Sequence, residues 1–243
     1  MKPGADLAWI ASVVGDPARA RILSALIDRR ARTAKELAFL AGVAPATASA
    51  HLAKLLDGKL VSVEPQGRHR YFRLASALVA QTIEAIGLVA ADAPAAATPR
   101  SRVDETMATA RTCYDHIAGR VGVAIADALQ DRGHVVFADG GGEVTASGRA
   151  FFSDLGIDLA RSSAGRRVFC RPCLDWTERR YHLAGAVGAA LCDHCLARGW
   201  LQRLRDSRAL AISAGGRAAF ASAFGIDTDL LMQRAVRPAA SAA

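Results

Sequence analysis

The chain has 243 residues and a formal net charge of +8, with 51% hydrophobic and 22% charged residues. This composition is typical of globular protein and excludes a chain that is disordered throughout. No uncharged apolar stretch of about 18 residues occurs and no secretory signal pattern is present, so we expect a cytoplasmic protein without a membrane partner. The basic excess is greater in the first hundred residues than in the rest, and it favours a polyanionic partner there.

The first hundred residues combine helical periodicity with turn signals. A capping-box pattern from Thr33 to Glu36 predicts the start of a short helix, Gly42 its end, and Pro45 the start of the next helix. Two helices separated by a short turn are the unit that places its second helix in a major groove of DNA. The sequence therefore predicts a helix-turn-helix.

The second predicted helix has an outward face with hydrogen-bonding and basic residues and without acidic ones. After Gly58, two alternating segments around a turn at Pro65-Gln66-Gly67 predict a hairpin with a basic tip, a wing suited to the DNA backbone or minor groove. A solvated charge cluster on a surface hairpin is the alternative, which the preceding helix-turn-helix disfavours. The candidate DNA-binding residues are Thr47, Ser49, His51, Lys54, Arg68, His69 and Arg70.

Several segments of this region carry the motifs of a known family: Glu36-Leu37-Ala38, Gly42-Val43, Thr47 to Leu52, Leu55, Gly58 to Val61, and the wing from Gly67 to Tyr71. They resemble the ArsR/SmtB family of winged helix-turn-helix regulators over about residues 6–90. The resemblance implies a homodimer that binds a palindromic operator, usually as a repressor released by an inducer. Farther along, the segments from Arg111 to His116 and from Cys173 to Arg180 resemble a longer subgroup of the same family.

The resemblance also implies where a dimer interface and a metal site would lie. In that family the first and last helices of the domain form the interface, and an apolar stripe in the last helix fits this role: Leu78, Thr82, Ile83, Ile86 and Val89. Two metal sites familiar in the family are missing, because the helix before the recognition helix has no cysteine and the last helix has no histidine. We therefore expect any sensor in the second half of the chain.

The sequence predicts two domains of mainly α class with short β-hairpins: a winged helix-turn-helix at 1–91, a linker at 92–101, a C-terminal effector or sensor domain at 102–236, and a flexible tail at 237–243. In the C-terminal domain, the segment from His116 to Gly133 matches that from His182 to Gly199 at an offset of 66 residues. We interpret this match as an internal repeat, about 112–158 and 178–227, of two related helix–hairpin–helix modules. A ligand cleft between the modules and a purely structural second domain are equally favoured.

Four of the five cysteines have the spacing of a four-thiolate zinc site: Cys170-x2-Cys173-x18-Cys192-x2-Cys195. Thiolates suit zinc or another thiophilic metal ion. Inert core cysteines are the alternative, because Cys192 and Cys195 lie one turn apart in an amphipathic helix and the other repeat has Ala126 and Leu129 at those positions.

A second constellation takes residues from both repeats and predicts a metal site with nitrogen, oxygen and sulfur ligands, or a polar effector pocket. His116 and His182 occupy equivalent positions, and Trp176 fits a pocket wall. The alternative is that each histidine makes a hydrogen bond within its own module. The candidate residues are Cys113, Asp115, His116, Asp175, Trp176 and His182, and Cys173 belongs to this set as well.

Together these patterns predict a DNA-binding transcriptional repressor that responds to a metal ion, a metalloid or a thiol-reactive small molecule. The expected partners are double-stranded operator DNA, a second copy of the chain and the effector, with zinc or another thiophilic ion as the candidate cofactor. No glycine-rich phosphate loop, G-x-S-x-G elbow or H-E-x-x-H motif occurs, so we expect no catalysis. Two alternatives stay open: a redox switch through Cys170 and Cys173 without metal, and a protein-interaction module that no longer reads DNA.

Overall fold

The computed structural model of the chain describes residues 3–92, 105–138, 141–162, 168–205 and 207–233. These residues belong to two compact units, Met1–Ala90 and Ala91–Ala243. Of the predicted linker at 92–101, only Asp92 is described, and the predicted tail at 237–243 lies outside the described residues.

The N-terminal unit combines helices with a small antiparallel sheet in the strand order β1-β3-β2. Its elements are α1 (Pro3–Val14), α2 (Pro17–Leu26), β1 (Arg32–Thr33), α3 (Ala34–Ala41), α4 (Pro45–Asp57), β2 (Val61–Gln66), β3 (His69–Leu74) and α5 (Ala77–Asp92). This is the predicted winged helix-turn-helix, with α4 as the second helix of the motif and the β2–β3 hairpin as the wing.

Local chemistry at the helix ends explains these boundaries. The Asp16 side chain accepts two backbone hydrogen bonds at the start of α2. Thr33 and Glu36 form the predicted capping box at the start of α3. Gly42 has φ of 65°, a left-handed conformation that glycine adopts without strain, and it ends α3. After this turn α4 starts at Pro45, and the two helices are bent by 104°.

The wing hairpin is longer than predicted. The ladder between β2 and β3 continues to the pair Gln66 and His69, so the turn consists of Gly67 and Arg68 and Pro65 lies inside β2. A proline is tolerated there because β2 is an edge strand, where a missing backbone N–H group removes few ladder hydrogen bonds.

Within the described parts of the chain, no single helix is long and apolar enough to cross a membrane. The bent pair α3 and α4 passes that test when both helices are taken together, on length and composition only.

In the C-terminal unit, the same order of hairpin, helix, hairpin and helix occurs twice. We call the elements from β4 to α8 the first succession and those from β8 to α11 the second succession. The predicted helix–hairpin–helix order lies within each succession, after a leading hairpin that the sequence did not suggest. That the two are a repeat stays an interpretation of the sequence matches. The elements are α6 (Glu105–Thr109), β4 (Arg111–Cys113), β5 (His116–Ala118), α7 (Gly119–Asp131), β6 (Val135–Ala138), β7 (Gly141–Val144), α8 (Ala146–Asp154), α9 (Leu159–Ser162), β8 (Arg171–Leu174), β9 (Tyr181–Ala184), α10 (Gly185–Ala197), β10 (Leu201–Arg203), β11 (Leu210–Ile212), α11 (Ala214–Phe224) and α12 (Thr228–Gln233).

The two successions pack against each other reciprocally: the first helix of each contacts the leading hairpin of the other. Helix α7 of the first contacts β9 of the second, and α10 of the second contacts β5 of the first. Glycine makes this close approach possible: a Cβ atom at Gly122 would lie 3.5 Å from Cβ of His182, and one at Gly188 would lie 3.2 Å from Cβ of His116. Each of these Cβ atoms would also lie 2.5 Å or less from a backbone carbonyl oxygen. These contacts bring the first hairpin (β4–β5) and the second hairpin (β8–β9) together.

Candidate functional site

The exposed face of α4 and the tip of the wing carry most of the predicted DNA-binding residues. Thr47, Ser49, Lys54, Arg68, His69 and Arg70 are all exposed. Helix α4 has Pro45 at its first position and receives no hydrogen bond from a capping side chain. Because the first N–H groups of such a helix need an acceptor, this end of α4 is suited to a phosphate oxygen.

His51 differs from the other predicted DNA-binding residues, because it is half-buried. Its Nδ1 lies 3.4 Å from Nη1 of Arg19 and 3.8 Å from Oδ1 of Asp16. The Arg19 guanidinium also donates to the backbone oxygens of Ser12, at 2.9 Å, and Val13. His51 thus connects α4 to the start of α2, a role that the sequence did not reveal.

Two cysteines and two histidines converge where the first and second hairpins meet. Cys113 pairs with His116 across the first hairpin, and Cys173 pairs with His182 across the second. The two Sγ atoms are 3.9 Å apart and the two Nε2 atoms are 3.1 Å apart. One ligand atom from each of the four residues lies within 4.8 Å of the others. We call these four residues the Cys2His2 cluster.

The separations within the Cys2His2 cluster fit tetrahedral metal coordination. An ion with Zn–S bonds of about 2.3 Å and Zn–N bonds of about 2.0 Å holds two sulfurs about 3.8 Å apart and two nitrogens about 3.3 Å apart. Both observed separations lie close to these values. Two thiolates and two imidazoles are also the donor set that zinc and similar ions prefer. The residues therefore fit such an ion.

Burial and mutual contacts set the protonation of the Cys2His2 cluster. Contact with Cys113 lowers the pKa of Cys173, and although burial opposes ionisation, His116 and His182 lower it further. Burial lowers the pKa of His182, which keeps the ring neutral. A thiolate and a neutral imidazole are the forms that bind a metal ion.

A carboxylate stands near the second ring nitrogen of each histidine. Oδ1 of Asp115 lies 3.2 Å from Nδ1 of His116, and Oδ2 of Asp175 lies 3.7 Å from Nδ1 of His182. Within the described residues, Nδ1 of His182 has no hydrogen-bond partner. A carboxylate in this position fixes the ring so that Nε2 can act as a ligand. Asp115 is thus placed to orient His116, whereas the carboxylate of Asp175 lies near Nδ1 of His182 but beyond hydrogen-bond distance.

Asp175 is itself held by groups of the first succession. Nη2 of Arg111 lies 2.8 Å from its Oδ1, and the backbone N–H of Gly119 donates to its Oδ2 at 2.7 Å. Burial opposes ionisation of Asp175, but the Arg111 guanidinium and a hydrogen bond from the Thr177 hydroxyl favour the charged form, and the pKa of the carboxyl lies below its ordinary value. The side chains of Arg111 and Asp175 are 1% and 0% exposed, so this is a fully buried ion pair.

The fold does not assemble the four-cysteine set suggested by the spacing. Of that set, Cys173 alone belongs to the group of candidate metal ligands found in the described residues. Cys170, Cys192 and Cys195 are 2%, 0% and 0% exposed members of the hydrophobic core, because α10 turns its two cysteines inward. Burial raises the pKa of Cys170 to about 11 and also raises that of Cys195, which makes both poor thiolates.

The second predicted constellation is the one that comes together. Cys113, His116 and His182 join Cys173 in the Cys2His2 cluster, with Asp115 and Asp175 behind the histidines. Trp176 lies under the Arg111 guanidinium, 4.8 Å from the ring centre, and so packs against the buried ion pair.

Comparisons with known proteins agree with the winged unit. A family described as a helix-turn-helix domain matches residues 14–64. An uncharacterized HTH-type transcriptional regulator of Bacillus subtilis (strain 168), YdfF, is 45% identical over 215 residues, which cover 88% of this chain and 95% of the relative. The chain belongs to the HTH-type transcriptional regulators. The prediction of a transcriptional regulator with a helix-turn-helix is thereby confirmed.

Solved structures with some likeness are short chains. The homodimeric winged helix-turn-helix domain of Mb0332 from Mycobacterium bovis, a possible ArsR-family regulator, is 26% identical and has a TM-score of 0.35. The match covers 40% of this chain and 89% of the Mb0332 chain. The cadmium metal-sensor CMTR from Mycobacterium tuberculosis is 27% identical, covers 40% of this chain and 99% of its own, and has a TM-score of 0.30. TM-scores this low do not define a shared overall fold.

In this HTH-type regulator, sequence reasoning missed the residues that support the Cys2His2 cluster. The sequence shows Arg111 only as part of a motif, whereas in the structure its burial beside Asp175 joins the two successions. Gly122 and Gly188 lie within the two matching segments, but the match does not indicate that His182 and His116 lie against them. The signal available was the pairing of equivalent glycines and histidines at the offset of 66 residues.

Proposed function

We propose that this HTH-type regulator is a dimeric repressor whose operator affinity depends on a zinc-class ion bound by Cys113, His116, Cys173 and His182. One observation carries the proposal: the Sγ–Sγ separation of 3.9 Å and the Nε2–Nε2 separation of 3.1 Å both fit a single tetrahedral ion. Cys113 and His116 come from the first hairpin, and the other two ligands come from the second. This arrangement supports a role of the ion in coupling the two successions.

The ligand set favours sensing over catalysis. Four protein ligands fill a tetrahedral shell, whereas a catalytic zinc site keeps one position for water or substrate. Cys113, His116 and His182 are buried and Cys173 is half-buried, which also leaves little access for a substrate. An ion that needs both hairpins stabilises the state in which they face each other, and it shifts any equilibrium between that state and an open one.

Exposed apolar side chains support the dimer. On α1 Leu7 is 70% exposed, and on α5 Leu78 and Val89 are 71% and 73% exposed. Large apolar groups at such positions on the first and last helices of one unit are suited to an interface that a second copy covers.

The exposed face of α4 and the basic wing support operator binding. We expect Arg68→Ala combined with Arg70→Ala to weaken DNA binding about tenfold at moderate salt, uniformly across sequences, and to reduce the salt slope by about 2. Arg149→Ala combined with Arg198→Ala, an equal loss of charge at two exposed positions of the C-terminal unit, serves as the control. Fluorescence anisotropy with the DNA upstream of the chain's own gene measures both quantities. An unchanged salt slope would contradict the role of the wing, and no binding at all would favour a protein-interaction module.

Metal titration of the full chain tests the sensor. After treatment with a chelator, we expect cobalt to bind at one ion per chain with the absorption of thiolate coordination, and zinc to displace it. Cys113→Ser and His182→Gln should each lower the affinity about a hundredfold or more, since each removes one of four ligands. Cys192→Ala is the matched control, because the equivalent position of the other succession is Ala126.

Operator binding of the same preparations then tests the coupling. We expect the metal-free and zinc-bound chains to differ in operator affinity, and Cys113→Ser to bind the operator equally with and without zinc. Equal affinity of both wild-type forms would overturn the regulatory role. A chain that binds no zinc would overturn the site itself.

A further inference from the structure

The two thiol groups of the Cys2His2 cluster are close enough for a second chemistry. Sγ of Cys113 lies 3.9 Å from Sγ of Cys173, and a disulfide needs this distance to fall to about 2.0 Å. Each sulfur therefore has to move by about 1 Å, which a rotation about its own Cα–Cβ bond can supply. The two cysteines belong to different hairpins, β4–β5 and β8–β9.

We propose that Cys113 and Cys173 are a redox modification site: a hydroperoxide oxidises them to a disulfide, and this removes both sulfur ligands from the Cys2His2 cluster. The inference rests on the proposed function for its consequence, since the bond would exchange a metal-bound state for a metal-free one. The covalent step itself depends only on the two sulfur atoms and their separation.

The reaction balances with hydrogen peroxide as the oxidant. The Cys173 thiolate attacks one peroxide oxygen, the O–O bond breaks, and hydroxide leaves with formation of a sulfenic acid. The Cys113 thiolate then attacks the sulfur of Cys173, the S–O bond breaks, a second hydroxide leaves and the S–S bond forms. The two sulfurs lose two electrons in total, the peroxide gains them, and two protons convert the hydroxides to water.

Accessibility favours Cys173 as the residue that reacts first. Cys173 is half-buried, whereas Cys113 is 6% exposed. The other three cysteines are core residues, and none of them belongs to the group of ligand atoms within 4.8 Å of one another. Oxidation should therefore select one pair out of the five cysteines.

Loss of both thiolates leaves two histidines, which hold a zinc ion far more weakly than four ligands do. His116 and His182 remain in place, so reduction of the disulfide restores the full ligand set. Oxidation and metal binding are thus mutually exclusive at this site.

The test uses the full chain loaded with one zinc ion and treated with hydrogen peroxide. We expect one zinc ion released for each disulfide formed, measured with a chromophoric chelator, and a single cross-linked pair of tryptic peptides containing Cys113 and Cys173. Dithiothreitol followed by zinc should restore the loaded form. Cys192→Ala should behave like the wild type, whereas Cys113→Ser should accumulate a sulfenic acid at Cys173 that dimedone traps.

Two outcomes would overturn the proposal: zinc release without the Cys113–Cys173 cross-link, or neither release nor cross-link at peroxide concentrations that oxidise free cysteine. The cross-link can also be scored on chain prepared without metal. A chain that binds no zinc but forms the cross-link therefore contradicts the proposed function alone, and a chain that binds zinc without forming it contradicts this inference alone.

Discussion

The first and second hairpins of the C-terminal unit supply the same ligands but differ in their turns. In the first hairpin His116 follows Cys113 by three positions, across a turn of two residues. In the second, His182 follows Cys173 by nine positions, and the longer turn includes Asp175 and Trp176. The ladder partners are equivalent in both hairpins, so the extra residues change what lies behind the ligands and not the ligands themselves.

This difference separates two kinds of connection between the hairpins. Asp175, from the longer turn, binds Arg111 and the backbone of Gly119 in the first succession, and this contact needs no metal. The Cys2His2 cluster connects the same two hairpins through an ion, and so only when the ion is bound. The ion pair therefore contributes to the contact between the hairpins whether or not an ion is bound, whereas the contribution of the cluster depends on the ion.

Removal of the Asp175 carboxylate should have the largest effect. Asp175→Asn leaves the Arg111 guanidinium buried without its counter-charge, which costs about 3–5 kcal/mol of unfolding free energy. Chemical denaturation of the metal-free chain, followed by the fluorescence of its three tryptophans, Trp9, Trp176 and Trp200, measures the loss.

Asp127→Asn is the matched control for Asp175→Asn. Asp127 also pairs with an arginine, Arg180 at 2.8 Å, but the two side chains are 32% and 59% exposed. An exposed pair contributes about 1 kcal/mol or less. Equal losses of unfolding free energy in the two variants would contradict this prediction, because the buried ion pair at Asp175 would then contribute no more than the exposed pair at Asp127.

The equivalent glycines should give the next largest effect. Gly122→Ala and Gly188→Ala each force a Cβ atom against a backbone oxygen and toward a histidine of the other hairpin, at a cost of about 1–3 kcal/mol. Both should also weaken zinc binding, since they displace His182 and His116. Gly141→Ala is the control, because nothing lies within 4 Å of its added Cβ atom. A loss of unfolding free energy with unchanged zinc affinity would show that these glycines do not determine the positions of the two histidine ligands.

The winged unit was predictable because its signals are local. The capping box at Thr33 and the positive φ of Gly42 each depend on a few neighbouring residues, and both occur where the sequence indicated them. The turn of the wing starts two residues later than predicted, because Pro65 is a turn signal in isolation, whereas its place in an edge strand depends on the order of the sheet.

The Cys2His2 cluster was predictable only as a set of residues. Spacing favoured Cys170, Cys192 and Cys195 because sequence motifs measure distance along the chain, and these residues are close in sequence but packed into the core. The cluster depends on long-range pairing, and the unequal turns give its Cys–His pairs different spacings. The equivalence of His116 and His182 was visible, and the missing information was which faces of the hairpins meet.

We expect substitution of Asp115 to change zinc affinity more than the unfolding free energy of the chain. Asp115 lies behind His116 in the shorter turn, so Asp115→Asn weakens the orientation of that ring and should lower zinc affinity about tenfold. The stability of the metal-free chain should change little in comparison with Asp175→Asn. Competition between the chain and a chelator of known affinity measures the change, with Asp127→Asn as the control. A large loss of stability would place Asp115 with the buried ion pair instead.

Trp176 should have the smallest effect, and it should act on stability alone. Its ring lies under the Arg111 guanidinium, so Trp176→Leu removes a cation–π contact of about 1 kcal/mol while leaving all four ligands in place. Denaturation followed by circular dichroism measures the loss, since the substitution removes one of the fluorescent residues. Zinc affinity should equal that of the wild type, because the ring supports the ion pair and does not contribute to the cluster. A drop in zinc affinity without a loss of stability would instead make Trp176 a wall of the metal site, as its position in the sequence first suggested.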